Sequence, residues 1–232
     1  MNRSFLTPTQ RWIAAGCLVA APLLFAAAEF LSPSGEGTPD QLLDALAAAS
    51  RTAPLGLVAG LLSSAFFVPG LFGLLSRPMA RGRLLAEAGL TLLYYGLLAN
   101  IALGGLNVMF LAMADPRMDR AAMVQLFDRM TREPVVGPLL AGHYLMALGA
   151  LLLGLGLWRG GVGPRWAAAA VGLSGVTDAA LGMVAPDLVA SVVSNGLLIG
   201  GFVAYAWTVS RESRPTTAVH PATHPASSTT MA

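Results

Sequence analysis

The sequence predicts an all-α fold, a polytopic membrane bundle of six transmembrane helices with two short amphipathic helices outside the bilayer. Three observations predict it. Of 232 residues, 55% are hydrophobic and 11% charged, less than half the roughly 25% charge of soluble domains. The apolar residues fall in blocks close to the roughly 20 residues that cross about 30 Å of hydrocarbon at 1.5 Å per residue. The interruptions alternate between short basic turns and longer segments with helical patterning of their own.

The apolar runs lie at about 12–31, 53–76, 84–114, 136–158, 166–185 and 188–209. The opening MNRSFLTPTQRW resembles the charged region of a signal peptide. The run behind it is nearly of spanning length, however, and no small-x-small cleavage site precedes Pro33, so a retained helix is expected. The turns RPMARGR (77–83) and RGGVGPR (159–165) are basic, as are the flanks carrying Arg3, Arg11, Arg211 and Arg214. The positive-inside rule puts all of these in the cytoplasm, with 32–52, 115–135 and 185–187 outside. All fourteen basic residues are Arg, a composition of GC-rich bacterial genomes. The expected location is therefore a bacterial inner membrane, multi-pass, with both termini cytoplasmic. The segment 211–232 has too little apolar surface to fold, so a transmembrane domain at 1–210 is expected to precede a disordered tail.

Two connecting segments carry helix signals. Thr38-Pro39-Asp40-Gln41 reads as an N-cap, a Pro at the first helical position and a Gln closing a capping box, followed by the stripe Leu42, Leu43 and Leu46. In 118–132, Met123, Leu126, Phe127 and Met130 recur at i, i+3, i+4 and i+7 against Arg120, Asp128, Arg129 and Arg132. Both are expected at the outer surface, connecting spans or roofing a cavity. A faint repeat relates Ala59-Gly60, Ala65 and Arg77 to Ala141-Gly142, Ala147 and Arg159.

The functional candidates are polar residues inside the spans. Counted from the outer helix ends, Asn107, His143, Asp178 and Asn195 all fall about 9–11 Å deep by helix rise. Asn100 lies two turns below Asn107 on the same face, and an Asp178–Asn195 hydrogen bond across the last hairpin is geometrically natural. Buried ionisable groups in spans are costly, about 2.5–3.5 kcal/mol for Asp near the centre, and face the bundle interior. Glu29, one turn before Pro33, reads either as a snorkelling acid or as a pocket acid. Asp178, His143 and Glu29 are thus the candidates for acid–base work. Asn100, Asn107, Tyr144 and Asn195 are those for ligand contact, set against the role of Asn as interhelical hydrogen-bond glue. Glu87 is expected to pair with Arg83 at i, i+4, and Asp187 to cap the last helix.

Several motifs fail. Gly172-Leu173-Ser174-Gly175 matches the GxSG of rhomboid proteases, but no His follows on a later span to serve as base. No HExxH, Walker loop, paired-carboxylate prenyl-diphosphate motif or heme-type His pair is present. Cys17 stands alone, which removes intrachain disulfides and Cys-based metal sites. No cofactor or metal is called for. The Arg residues sit at helix ends and net charge is only +2, which points to the lipid bilayer and away from nucleic acid.

The stretch GALLLGLGLWRGGVGPRW (149–166), ending in Pro164-Arg165-Trp166, resembles the corresponding turn of six-helix bacterial membrane protein families of unknown function. The resemblance implies layout and no activity. Two readings follow: a non-catalytic protein binding a small hydrophobic or amphipathic molecule in an outer-facing polar pocket, or an intramembrane acid–base enzyme of the terpene cyclase or isomerase type. The sequence leaves oligomeric state and ligand identity open.

Overall fold

The computed structural model describes residues 6–33, 37–79, 81–181 and 187–211. The side chains of His143, Asp178, Ala179 and Asp187 lie outside that set. The helices are α1 (Pro8–Leu31), α2 (Pro39–Ala48), α3 (Ala53–Leu75), α4 (Arg83–Met113), α5 (Arg120–Thr131), α6 (Val136–Gly160), α7 (Arg165–Leu181) and α8 (Asp187–Arg211), and the described residues contain no strand.

Local chemistry sets the helix ends. At α2 the Thr38 hydroxyl accepts from the Gln41 amide (3.4 Å) while Gln41 Oε1 accepts from the Thr38 amide (2.9 Å), behind Pro39. The same Thr-Pro-x-Gln pattern recurs at residues 7–10, with contacts of 3.3 and 2.9 Å. It starts α1 four residues before the apolar run, because two otherwise orphan amides are satisfied there. Asp119 caps α5 by accepting from the amides of Ala121 and Ala122. Gly161 closes α6 and Gly163 follows, at φ +64° and +72°, so the 159–165 turn uses a left-handed backbone that glycine adopts without strain.

Five helices, α1, α3, α4, α6 and α8, are long and apolar enough to cross a membrane. α7 has 17 described residues, and 182–186, which take in the last four positions of the expected 166–185 span, are not described. The chain is an integral, multi-pass helical membrane protein. Its outward faces carry large apolar side chains such as Leu55, Leu98, Ile101, Leu155 and Val192, an arrangement that needs lipid around it.

The six long helices close into a ring in the order α1, α3, α4, α6, α7, α8 and back to α1. Glycine sets the closest approach, between α4 and α6. A Cβ on Gly89 would stand 2.4 Å from the Leu153 nitrogen, and one on Gly149 2.7 Å from the Leu93 nitrogen. With Gly96 on α4 and Gly142 and Gly156 on α6 seven residues away, they let two backbones meet without intervening side chains. Leu18, Leu71, Leu74, Leu153, Leu157 and Tyr205 fill the interior toward the end where α1 starts. That end carries Arg11, Arg77, Arg81, Arg83, Arg159, Arg165 and Arg211, with Glu87 as its acid among the described residues. Arg83 and Glu87 form the expected pair at 2.7 Å. Trp12, Trp158, Trp166 and Trp207 lie there too, each at least 45% exposed, as interfacial aromatics are.

At the opposite end α2 and α5 lie against each other and against the end of α4. Leu43 and Phe127 are buried there with Met113 and Ala114, and Phe127 stacks on Phe110 at 4.3 Å between ring centroids. Arg120 ties the pair together, reaching Asp40 Oδ1 at 2.8 Å and Asp44 Oδ1 at 2.6 Å. The chain thus runs twice through long helix, short helix, long helix. The residues of the sequence repeat do not share environments, since Ala59 is buried and Ala141 exposed.

Candidate functional site

The ring encloses a cavity of about 70 Å³ to which all six long helices contribute. Most of its wall is apolar, including Phe25, Phe67, Leu97 and Phe202. Phe67 and Phe202 meet edge to face at 5.7 Å across the interior. Among the described residues, four polar side chains lie on the wall, Glu29, Ser174, Ser194 and Asn195. Neither α2 nor α5 supplies a lining residue, so the expected roof sits beside this space, on the end of α4.

Asn195 organises the polar part. It is 4% exposed, and its Nδ2 donates to Glu29 Oε2 at 2.5 Å and to the Ser191 carbonyl at 2.9 Å. Its Oδ1 is buried without a hydrogen-bond partner. The Ser194 hydroxyl donates to the Ser174 carbonyl (2.9 Å), and the Ser174 hydroxyl to the Val171 carbonyl (2.8 Å). Glu29 reaches Asn195 because α1 closes the ring against α8.

A more open space of about 220 Å³ lies between α1, α3 and α4, lined in part by Gly56, Gly60, Asn100, Gly104 and Asn107. It shares Phe25 and Glu29 with the central cavity. Asn100 donates to Ser64 Oγ at 3.3 Å, and Asn107 is exposed.

Among the described residues, Glu29 and Asn195 thus line the central cavity, and Glu29, Asn100 and Asn107 line the lateral space. Tyr144 is 70% exposed and lines neither space. His143 lies on α6 and Asp178 on α7, with side chains outside the described residues, as is the proposed capping side chain of Asp187. Sequence reasoning missed Ser174, Ser194, Phe67 and Phe202. For the serines a signal existed: Ser194 adjoins Asn195, and Ser174 lies one turn from Asp178. Nothing marked the two phenylalanines, because an aromatic residue among other apolar residues of a span looks the same in sequence whether it packs or lines a cavity.

No protein-family model matches the chain, and comparisons with curated proteins and with solved structures return no match either. The likeness of the 149–166 turn to six-helix families therefore assigns no residue a role.

Proposed function

We propose that this protein binds a small hydrophobic or amphipathic molecule in the central cavity, with Glu29 and Asn195 at the head of the site. The observation that carries the reading is a mostly apolar space inside a lipid-embedded ring, furnished among the described residues with the Glu29 carboxyl group and the buried Asn195 amide. Ligand sites are commonly apolar clefts with a few fixed polar groups. Asn100 and Asn107 line the lateral approach to Glu29. His143 precedes the lining residues Met146 and Ala147 by three and four positions. Asp178 follows Ser174 and Gly175 by four and three. That one-turn spacing from lining residues supports counting both in the site.

The protein crosses a bacterial inner membrane six times in this reading, α7 included, with the Arg- and Trp-rich end in the cytoplasm. The site then lies toward the outer half. Ala150, 6% exposed on the cavity wall, supplies the test. Hexanol should raise the melting temperature of the native protein in detergent, and Ala150→Phe should abolish that rise by filling the space. Equal shifts in native and variant protein would remove the cavity as the site.

The competing reading is acid–base chemistry on an isoprenoid, with Glu29 or Asp178 as proton donor and His143 as acceptor. Phe67 and Phe202 line the same space as Glu29, where aromatic faces would stabilise developing positive charge. The cavity, about 70 Å³, is small against the roughly 300–1,000 Å³ of drug-sized ligand sites. Plain and epoxidised prenyl substrates, fed to membranes with Glu29→Gln and Asp178→Asn as controls, test it through product formation that the variants lose.

A further inference from the structure

We infer that the groove between α1 and α8 at the Arg- and Trp-rich end seats an anionic phospholipid, one acyl chain lying in the groove and its phosphate meeting Arg165 and Arg211; the inference is independent of the cavity reading above. The groove is open and holds about 770 Å³, lined from α1 by Ala15, Gly16 and Val19 and from α8 by Gly200, Val203 and Ala204. A Cβ on Gly16 or on Gly200 would meet nothing within 4 Å, so the room these glycines leave is filled by no neighbour among the described residues. From Gly200 to Ser210 the lining runs along α8 for about 15 Å by helix rise. That is the hydrocarbon depth of one leaflet, half of about 30 Å, and so the length of a single chain packed along it.

The mouth of the groove is basic and aromatic. Trp12, Trp166 and Trp207 line it, each at least 60% exposed, as indoles at the head-group level are. Arg165 stands between two lining residues, Pro164 and Trp166, and Arg211 directly follows a third, Ser210. The Arg211 guanidinium lies 4.0 Å over the Trp207 ring, which holds its charge beside the groove. Among the described residues the lining contains no acid, and Glu87 at this end is taken by Arg83 at 2.7 Å. The sequence before α1 and after α8 carries Arg3, Glu212 and Arg214, which adds net positive charge. Guanidinium groups pair with phosphate through parallel N–H donors, and basic recesses between spans take anionic lipid head groups.

The other occupant that a glycine-lined groove admits is a helix of a second copy. A two-fold axis through the groove would set the two arginines of one protomer against those of its partner, cation against cation, and the three exposed indoles would hold the helices apart. An acyl chain bends past them. A zwitterionic lipid brings its phosphate with a cation attached, so two arginines favour a lipid whose head group carries net negative charge.

The test reconstitutes the protein in phosphatidylcholine vesicles at about 0.15 M salt, where loose surface attraction is screened. Chain-brominated phosphatidylglycerol or chain-brominated phosphatidylcholine is titrated in, and each quenches Trp fluorescence on contact. Phosphatidylglycerol should bind about tenfold tighter, as a charge-assisted contact does. Arg165→Gln with Arg211→Gln should bring the two lipids level, whereas Arg81→Gln with Arg159→Gln, which removes the same charge away from the groove, should leave the preference intact. Gly200→Leu, whose Cβ has open space, should fill the groove and reduce phosphatidylglycerol to the phosphatidylcholine level. Equal quenching of the native protein by the two lipids overturns the assignment, as does a preference that survives loss of Arg165 and Arg211 or is lost equally in both pairs of variants. A dimer in the vesicles that Gly200→Leu splits would give the groove to a second copy and overturn it too. The native comparison needs no variant, so it decides even where one fails to fold.

Discussion

Glu29 and Asn195 are separated by 166 positions in sequence and joined by one hydrogen bond of 2.5 Å. A hydrogen bond to a charged group contributes about 1.5–3 kcal/mol, and removing one partner adds the cost of leaving the other unmet. Asn195→Leu alone should therefore destabilise the protein by about 1–3 kcal/mol. Glu29→Leu combined with Asn195→Leu should cost less than the sum of the single changes, with a coupling of about 0.5–3 kcal/mol. Unfolding by steric trapping in bilayers measures all four corners, and strict additivity would mean that the contact carries no energy. Counting depth along each span was enough to mark Asn195 as inward and buried. Its partner was less legible, because Glu29 sits near a helix end where headgroups offer an equally plausible home. Only the ring, which brings α1 against α8, decides between the two, and no residue pattern within either helix encodes that closure.

Among the elements, the interlock of α4 with α6 is where packing is least forgiving. Gly149→Leu would drive a side chain into the Leu93 nitrogen and the Gly89 carbonyl, 2.7 and 2.8 Å from the new Cβ, and should cost about 1–3 kcal/mol or more. Gly105→Ala, with nothing within 4 Å of its Cβ, should be neutral or slightly stabilising, since Ala is the better helix former. Thermal unfolding in detergent separates the two, and equal effects would contradict the interlock. The short helices are held differently. Arg120, 38% exposed, bridges Asp40 and Asp44, and exposed pairs contribute roughly 0–1 kcal/mol each. Arg120→Ala should accelerate amide exchange in α2 while leaving the global unfolding midpoint nearly unchanged; a large drop in midpoint would show that the clasp supports the bundle itself. Helix existence was legible throughout, because long apolar blocks and a capping box are local signals. The true start of α1 was missed by four residues although its signal, Thr7-Pro8-Thr9-Gln10, repeats the pattern read at residues 38–41. Where the short helices dock was not, since an amphipathic stripe says which face is buried and not what buries it.

At the scale of the whole molecule, an excess of Arg over acids and the exposed Trp mark one end of the ring, while at the short-helix end Arg51, Arg117, Arg120, Arg129 and Arg132 are offset by Asp40, Asp44, Asp115, Asp119, Asp128 and Glu133. That polarity was readable from the basic turns alone, because it depends on composition at helix ends and on no tertiary contact. It makes a topological prediction. In a Cys17→Ala background, Pro78→Cys should react with a membrane-impermeant thiol reagent only from the cytoplasmic side, and Ser50→Cys only from the outside. The reverse pattern in right-side-out and inverted vesicles would invert the orientation and place the Glu29 site toward the cytoplasm. The cavity itself was not legible, because its wall draws on six helices whose apolar faces look alike in sequence.

The central claim, a ligand site inside the ring headed by Glu29 and Asn195, is tested most directly by locating a bound probe. Crystals grown with 6-bromohexanol give the bromine position by anomalous scattering and the chain by ordinary density. The account predicts the probe inside the central cavity, its bromine among the apolar wall residues and its hydroxyl toward Glu29 and Asn195. Bromine found only on the lipid-facing surface, with the central cavity unchanged, would contradict it.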